Sequence, residues 1–182
     1  MRHTTGADVS RANKRSAGLA FVWVLTFLLW HVVWYATGLG FPDPSDRTGA
    51  ARTIAYGAQA AFLAMIVVGT VLPLALGMAW GRRLPRWLLL TLGWIGFAVL
   101  AGRAAAGIAD TALRLTGVEG GLTGLTEQQV MGTANPGMWD WIAGYTTDAL
   151  FAAGAVCFGL ATLQFQRATY RSQRFDLIPI RR

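Results

Sequence analysis

Four apolar stretches constrain the fold of this chain more than any other feature. They cover residues 17–37, 54–80, 87–109 and 141–165. A helix of ~20 apolar residues is long enough to cross the ~30 Å hydrocarbon core of a bilayer. Because lipid offers no hydrogen bonds to the backbone, such segments must be helical or belong to a closed barrel. None of them shows the alternation of a barrel strand, so the sequence predicts an all-α, integral membrane four-helix bundle.

The composition agrees with a membrane protein. Apolar residues make up 54% of the chain and charged residues only 14%, against ~25% charged residues in a typical soluble domain. The first stretch follows a basic segment, as a cleaved signal peptide would. Its apolar run is longer than the ~7–15 residues of a signal-peptide core, so we interpret it as a membrane span.

The positive charges predict the orientation of the chain. The formal net charge is +7, and twelve of the sixteen Lys and Arg residues fall on one side when four helices are threaded in order. Basic residues in short loops mark the cytoplasmic side, so both termini are expected in the cytoplasm. The same charges can contact anionic lipid, and we predict no nucleic-acid partner. The twelve residues are Arg2, Arg11, Lys14, Arg15, Arg82, Arg83, Arg86, Arg167, Arg171, Arg174, Arg181 and Arg182.

This threading divides the chain into three parts. Residues 1–16 are predicted to form a flexible basic cytoplasmic tail, and residues 167–182 a second basic tail. Residues 17–166 form the transmembrane domain, with a glycine-rich extracytoplasmic loop over 116–140. The short turn over 81–86 predicts that the second and third helices are antiparallel neighbours. Small residues spaced by four, as in Ala98/Gly102/Ala106, favour close packing between helices.

Ionisable residues interrupt the apolar stretches near their outer ends. At 100° per residue, Arg103 and Asp110 share one face of the third helix, and Arg114 lies close to the same face. Asp148 is expected at a depth similar to that of Arg103 on the fourth helix, and His31 lies in the outer half of the first. Charged groups inside a membrane usually face the bundle interior and pair. We therefore predict an intramembrane polar cluster of His31, Arg103, Asp148, Asp110 and Arg114.

Two roles remain open for this cluster. It can form a cavity that binds a ligand or handles protons, which is the common meaning of intramembrane ionisable groups. Alternatively, the Arg103–Asp148 pair is a structural clamp that fixes the register of two helices, while His31 is hydrogen-bonded at the interface.

An aromatic stripe runs along the first helix. Trp23, Phe27, Trp30 and Trp34 recur at helical spacing and share one face. We expect this face to pack in the core of the bundle rather than to bind a quinone or a pigment.

The residue list disfavours several membrane enzymes. A CxxC oxidoreductase needs two cysteines, and the chain has only Cys157. Bis-histidine haem ligation needs two imidazoles within the membrane, whereas His31 is the one histidine in a span. No HExxH pair or phosphate-binding loop is present. We expect no catalytic residues, no metal and no cofactor, and regard enzymatic activity as unfavoured.

Three segments resemble a known group of proteins. They are 31-HVVWYATGLG-40, 84-LPRWLLLTLGWIGFAVLAGRAAAGI-108 and 145-YTTDALFAAGAVCFGLAT-162. Together they are similar to small bacterial four-helix membrane proteins grouped as domain of unknown function 3995. The resemblance spans residues 17–165 and would make His31, Trp34, Arg103 and Asp148 its motif positions. It implies a topology and assigns no activity.

These observations lead to two functional expectations. The first is a non-enzymatic accessory or assembly subunit in a bacterial plasma membrane, with the lipid bilayer and other membrane subunits as partners. The second is a small permease, or a ligand- or proton-binding protein, that uses the Arg/Asp/His cluster.

Overall fold

The computed structural model of the chain describes residues 6–37, 48–126, 128, 135 and 137–176. These residues form four main helices: α1 (Gly6–Thr37), α2 (Gly49–Gly77), α3 (Arg86–Leu115) and α4 (Met138–Asp176). A short 3-10 helix, Ala79–Arg83, joins α2 to α3. The all-α architecture predicted from the sequence is confirmed.

Two helices extend beyond the predicted spans. Helix α1 begins at Gly6, so residues 6–16 are helical where the sequence predicted a flexible tail. Helix α4 likewise continues to Asp176, past the predicted start of the second tail at residue 167. The physical reason is that nucleation is the costly step of helix formation, whereas adding residues to an existing helix is cheap. The Ala, Arg, Lys and Gln residues of these extensions are good helix formers.

Helix α2 ends where it meets α1 at the side of the predicted cytoplasmic turn. Its last residue, Gly77, lies so close to Ala17 that a Cβ at position 77 would be 2.9 Å from the Ala17 Cβ. The Asn13 side-chain amide donates a hydrogen bond of 2.9 Å to the Leu76 carbonyl. A helix end leaves its last carbonyls without intrahelical donors, so Asn13 of α1 caps the end of α2.

The helices pack in the order α2, α1, α4, α3. The most extensive contacts are between α3 and α4, followed by α1 with α4 and α1 with α2. Contacts between α2 and α3 are sparse, so the prediction that these two helices are close neighbours is wrong over most of their length. A short connection brings only the adjoining helix ends together, and side-chain packing then decides which helices pair along their length.

Close approach of the helices depends on glycines opposite large side chains. On α4, a Cβ at Gly154 would overlap the indole ring of Trp23. A Cβ at Gly159 would come within 3.0 Å of the Phe97 ring of α3. Gly102 was expected to belong to a close-packing motif, but no neighbouring atom lies within 4 Å of the position that a Cβ would take there. The buried stripe of α3 instead passes through Leu89, Gly93, Leu100 and Ala104.

Large apolar side chains cover much of the outer surface. Leu29, Trp87 and Val156 are 64%, 68% and 60% exposed. Within the described residues, three helical segments are long and apolar enough to cross a membrane: Arg11–Trp34, Arg86–Leu115 and Met138–Tyr170. Helix α2 contributes a shorter apolar segment, Leu63–Gly77. These features indicate a multi-pass membrane protein.

Candidate functional site

A cavity of about 540 Å³ lies between α3 and α4 at the ends joined by the glycine-rich loop. Its walls are the last turns of α3 and the first turns of α4, with Trp34 of α1 and two loop residues completing the lining. The residues around it are Trp34, Arg103, Ala106, Gly107, Asp110, Thr111, Arg114, Leu115, Leu122, Thr123, Trp141, Gly144, Tyr145, Thr147 and Asp148. Four members of the predicted polar cluster therefore share one cavity.

Arg103 and Asp148 join α3 to α4 across this cavity. The Arg103 Nη1 atom donates a hydrogen bond of 2.8 Å to Asp148 Oδ1. The Asp148 carboxylate occupies the space that a side chain at position 107 would fill, because a Cβ on Gly107 would overlap it. Glycine at this position of α3 thus creates the notch that holds the carboxylate. The guanidinium also lies over the Phe151 ring, with its Cζ atom 5.2 Å from the ring centre.

The two partners of this pair differ in exposure. The side chain of Asp148 is 18% exposed, whereas that of Arg103 is 48% exposed. The carboxylate is therefore enclosed between the helices, while about half of the arginine side chain is exposed.

Asp110 and Arg114 form a second pair that holds the loop. Arg114 Nε donates a 2.7 Å hydrogen bond to Asp110 Oδ2. Arg114 Nη2 also donates to the Leu125 carbonyl at 3.0 Å, and Asp110 Oδ1 accepts a 2.6 Å bond from the Leu122 backbone N–H. The side chains of Asp110 and Arg114 are only 19% and 13% exposed. These hydrogen bonds fasten the loop over the end of α3.

His31 has a different environment from the other cluster members. Its Nδ1 atom lies 2.8 Å from the Phe27 carbonyl, one turn earlier on α1, and its ring centre is 4.1 Å from that of Phe27. With a carbonyl as the acceptor, Nδ1 is the donor in this bond. His31 is not among the residues that line the cavity. The structure thus brings together Arg103, Asp148, Asp110 and Arg114, and places His31 beside Phe27.

The aromatic stripe of α1 faces α4. Trp23 and Phe27 are 9% and 4% exposed, and their rings stack at 5.1 Å. Trp23 Nε1 donates a 2.8 Å hydrogen bond to the Leu150 carbonyl, and Trp30 Nε1 donates a 3.1 Å bond to Thr147 Oγ1. Trp34 lies at the end of the stripe and lines the cavity.

Sequence reasoning did not single out several residues of the site. Phe151 lies one turn beyond Asp148, and this i, i+3 spacing could have placed its ring under the guanidinium. Trp141 and Tyr145 stack at 5.9 Å on the wall formed by α4. In the sequence, Trp141 stands out only as the first residue of the fourth apolar stretch. The hydrogen bond from Leu122 to Asp110 had no sequence signal, because it depends on how the loop folds back.

Charged and aromatic side chains line the cavity together. The charged side chains are those of two arginines and two aspartates, which supply donors and acceptors around an aromatic wall. Among the described residues, no group of three or more His, Cys, Asp or Glu side chains is arranged to hold a metal ion.

Comparisons with models of protein families, with curated proteins and with solved structures find no match to this chain. The resemblance to domain of unknown function 3995 therefore stays a prediction.

Proposed function

We propose that this chain is a non-enzymatic, four-span protein of a bacterial plasma membrane that binds a small ligand in the cavity between α3 and α4. In this proposal both termini are cytoplasmic and the cavity opens toward the outer side. Helix α2 would be the fourth span: its apolar stretch begins at Ile54, although the segment Leu63–Gly77 alone is short. The excess of Arg and Lys near the termini and in the 81–86 turn supports the orientation.

The half-exposed state of Arg103 is the observation that carries the binding proposal. A guanidinium that only fixes helix register forms its strongest hydrogen bonds when its donors are enclosed with their acceptors, because a low dielectric strengthens each bond. Arg103 instead lies with 48% of its side chain exposed beside a cavity of about 540 Å³. That volume falls within the ~300–1,000 Å³ of small-molecule sites. The arrangement favours binding, the first of the two roles, over the clamp.

A double-variant comparison separates binding from the structural role. The proteins are the wild type, Arg103→Gln, Asp148→Asn and the combination of both changes. Asp148→Asn alone leaves the guanidinium with a neutral acceptor and no counter-charge, and should destabilise the fold by ~1–3 kcal/mol. Changing both partners removes both charges and should restore most of that loss, since replacing a whole pair is often close to neutral. Thermal unfolding in a neutral detergent measures this part.

Native mass spectrometry of the same four proteins measures the bound molecule. We expect the wild type to retain a small-molecule adduct after gentle purification, and the stable double variant to lack it. A double variant that is folded and still carries the adduct at the wild-type level would refute the proposed site.

Membrane topology can be tested with single cysteines in a Cys157→Ser background. Glu119→Cys in the loop should react with a membrane-impermeant maleimide in intact cells. Ser172→Cys near the carboxyl end should react only after the membrane is permeabilised. Labelling of both positions from the same side would contradict the four-span topology.

A second candidate function is an accessory or assembly subunit, and the exposure of α2 favours it. Ile54 and Leu63 lie on opposite sides of this helix, yet they are 71% and 62% exposed. Among the described side chains of α2, none before Leu72 is buried. Stable co-purification with another membrane protein, reduced by Leu63→Gln in α2 and unaffected by Arg103→Gln, would support this candidate. Recovery of the chain alone from mildly solubilised membranes would count against it.

A further inference from the structure

We infer that the cavity binds an amphiphile through its acidic headgroup, a phosphate or a carboxylate, with Arg103 as the residue that receives it. This inference rests on the proposed function and adds the chemical class of the ligand. It follows from which polar groups of the cavity already have partners and which remain open.

The Asp110–Arg114 pair is largely enclosed and is bonded to itself and to the loop. Arg114 donates to both carboxylate oxygens of Asp110 and to the carbonyls of Gly120 and Leu125. Asp110 accepts, in addition, the backbone N–H of Leu122. Among the described residues, Nη1 of Arg114 donates no hydrogen bond, but the Arg114 side chain is only 13% exposed, against 48% for Arg103. The pair therefore offers less open donor surface to the cavity than Arg103 does.

Within the part of the chain that the structure describes, most N–H groups of Arg103 have no hydrogen-bond acceptor, whereas Asp148 is enclosed. Among the described residues, the guanidinium of Arg103 donates one hydrogen bond, from Nη1 to Asp148 Oδ1. Its other N–H groups lie on the side chain that is 48% exposed. Asp148 is 18% exposed and rests in the notch at Gly107. The cavity therefore presents a cation with free donors, and its matching anion is recessed.

This asymmetry selects an anionic headgroup. A planar guanidinium matches the geometry of carboxylate and phosphate oxygens and can bind them through two parallel hydrogen bonds. Asp148 and the Phe151 ring hold the guanidinium in place before the ligand arrives. A fixed donor loses less conformational entropy on binding than a mobile one.

The remaining walls fit an apolar chain next to the headgroup. Trp34, Leu115 and Leu122 line the cavity together with the Trp141 and Tyr145 rings. A free inorganic anion would leave these apolar walls uncovered, whereas an acyl or alkyl chain would bury against them. The shared chemistry is thus an acidic group attached to an apolar chain, as in an anionic lipid or a free fatty acid.

Thermal unfolding of the full chain in a neutral maltoside detergent tests this inference with matched probes. The probes are decyl phosphate, decanoate, decanol, decyltrimethylammonium and inorganic phosphate. The proteins are the wild type, Arg103→Gln, Arg103→Lys and a control, Arg83→Gln, which changes an exposed arginine of the 3-10 turn. A ligand that binds only the folded protein raises its unfolding temperature.

We expect decyl phosphate or decanoate to raise the unfolding temperature of the wild type and of Arg83→Gln. In Arg103→Gln the apparent affinity should fall by about tenfold or more, the size of one lost charge-assisted contact. Arg103→Lys keeps the charge without the planar guanidinium, so its apparent affinity should lie between those of the wild type and Arg103→Gln. This variant also provides the test if Arg103→Gln folds poorly. Shorter probes with the same headgroups, hexyl phosphate and hexanoate, should bind more weakly because they bury less apolar chain.

Several outcomes would overturn the inference. If decanol raises the unfolding temperature as much as the acidic amphiphiles do, the acidic headgroup is not recognised. If inorganic phosphate does so, the apolar chain is not recognised. An acidic amphiphile that stabilises Arg103→Gln as much as the wild type would show that Arg103 does not receive it.

A cavity-filling variant, Thr111→Trp, separates this inference from the proposed function. If decanol or decyltrimethylammonium stabilises the wild type and Thr111→Trp abolishes the effect, the cavity binds ligands of another class; the acidic assignment then fails while the proposed function stands. If no probe gives a shift that Thr111→Trp reduces, both fail.

Discussion

Replacing Gly154 with alanine tests the packing that holds α1 against α4. The added methyl group would overlap the indole ring of Trp23. That ring has little freedom to move: its Nε1 atom donates to the Leu150 carbonyl at 2.8 Å, and it contacts the rings of Phe27 and Phe158 at 5.1 and 5.7 Å. Either the tryptophan leaves its position or the two helices move apart.

The size of the effect follows from these contacts. Extra volume in a packed core costs ~1–3 kcal/mol, and losing the indole hydrogen bond costs ~1 kcal/mol. The higher helix propensity of alanine returns up to ~1 kcal/mol. We therefore expect Gly154→Ala to lower the free energy of unfolding by about 1–3 kcal/mol.

Gly102→Ala is the matched control, because nothing lies within 4 Å of the position where its Cβ would be. It adds the same methyl group to a membrane helix and should be neutral or slightly stabilising. Both variants can be unfolded by titrating dodecyl sulfate into maltoside micelles, with helical circular dichroism and tryptophan fluorescence as readouts. Equal stabilities for the two variants would refute the close approach of α1 and α4 at Trp23.

Two further predictions concern the loop and the α1–α2 contact. Asp110→Asn weakens the bond to Arg114 and to the loop backbone, so we expect faster proteolytic cleavage within 117–126 and little change in helix content; an unchanged cleavage rate would contradict the anchoring role. Gly77→Leu should force α2 away from Ala17 and destabilise the fold by ~1–3 kcal/mol, as measured by dodecyl sulfate titration. Gly57→Leu, at a position with open space around it, should lack this effect.

The number of main helices could be predicted because lipid imposes a length and a composition on each segment that crosses it. The same physics placed Arg103 and Asp148 together. Exposing either charge alone to lipid is costly. Helical periodicity and the depth of each residue left few other partners with which either charge could pair. In the structure the two side chains are 2.8 Å apart. Their role in binding stays a prediction.

The neighbours of α2 could not be predicted in the same way. The length of an apolar stretch indicates that the helix is buried in protein or lipid. It does not indicate which other helix this helix contacts. The choice depends on individual fits such as Gly77 against Ala17 and Gly69 against Val24. Small residues at four-residue spacing did not identify these fits, since Gly102 belongs to such a pattern and a Cβ there would meet no neighbour.

The two ion pairs show why depth along a helix is a poor guide to the exposure of a side chain. The sequence places Asp110 and Arg114 closer to the membrane boundary than Arg103, so hydropathy alone would make them the more accessible pair. In the structure they are the more enclosed, at 19% and 13% exposure, because the loop folds back over them. Gly121 permits this fold: its φ is +54°, and any side chain there would overlap the Asp110 carboxylate. The outer pair thereby anchors the loop, and Arg103, the deeper cation, is the more exposed of the two arginines that line the cavity.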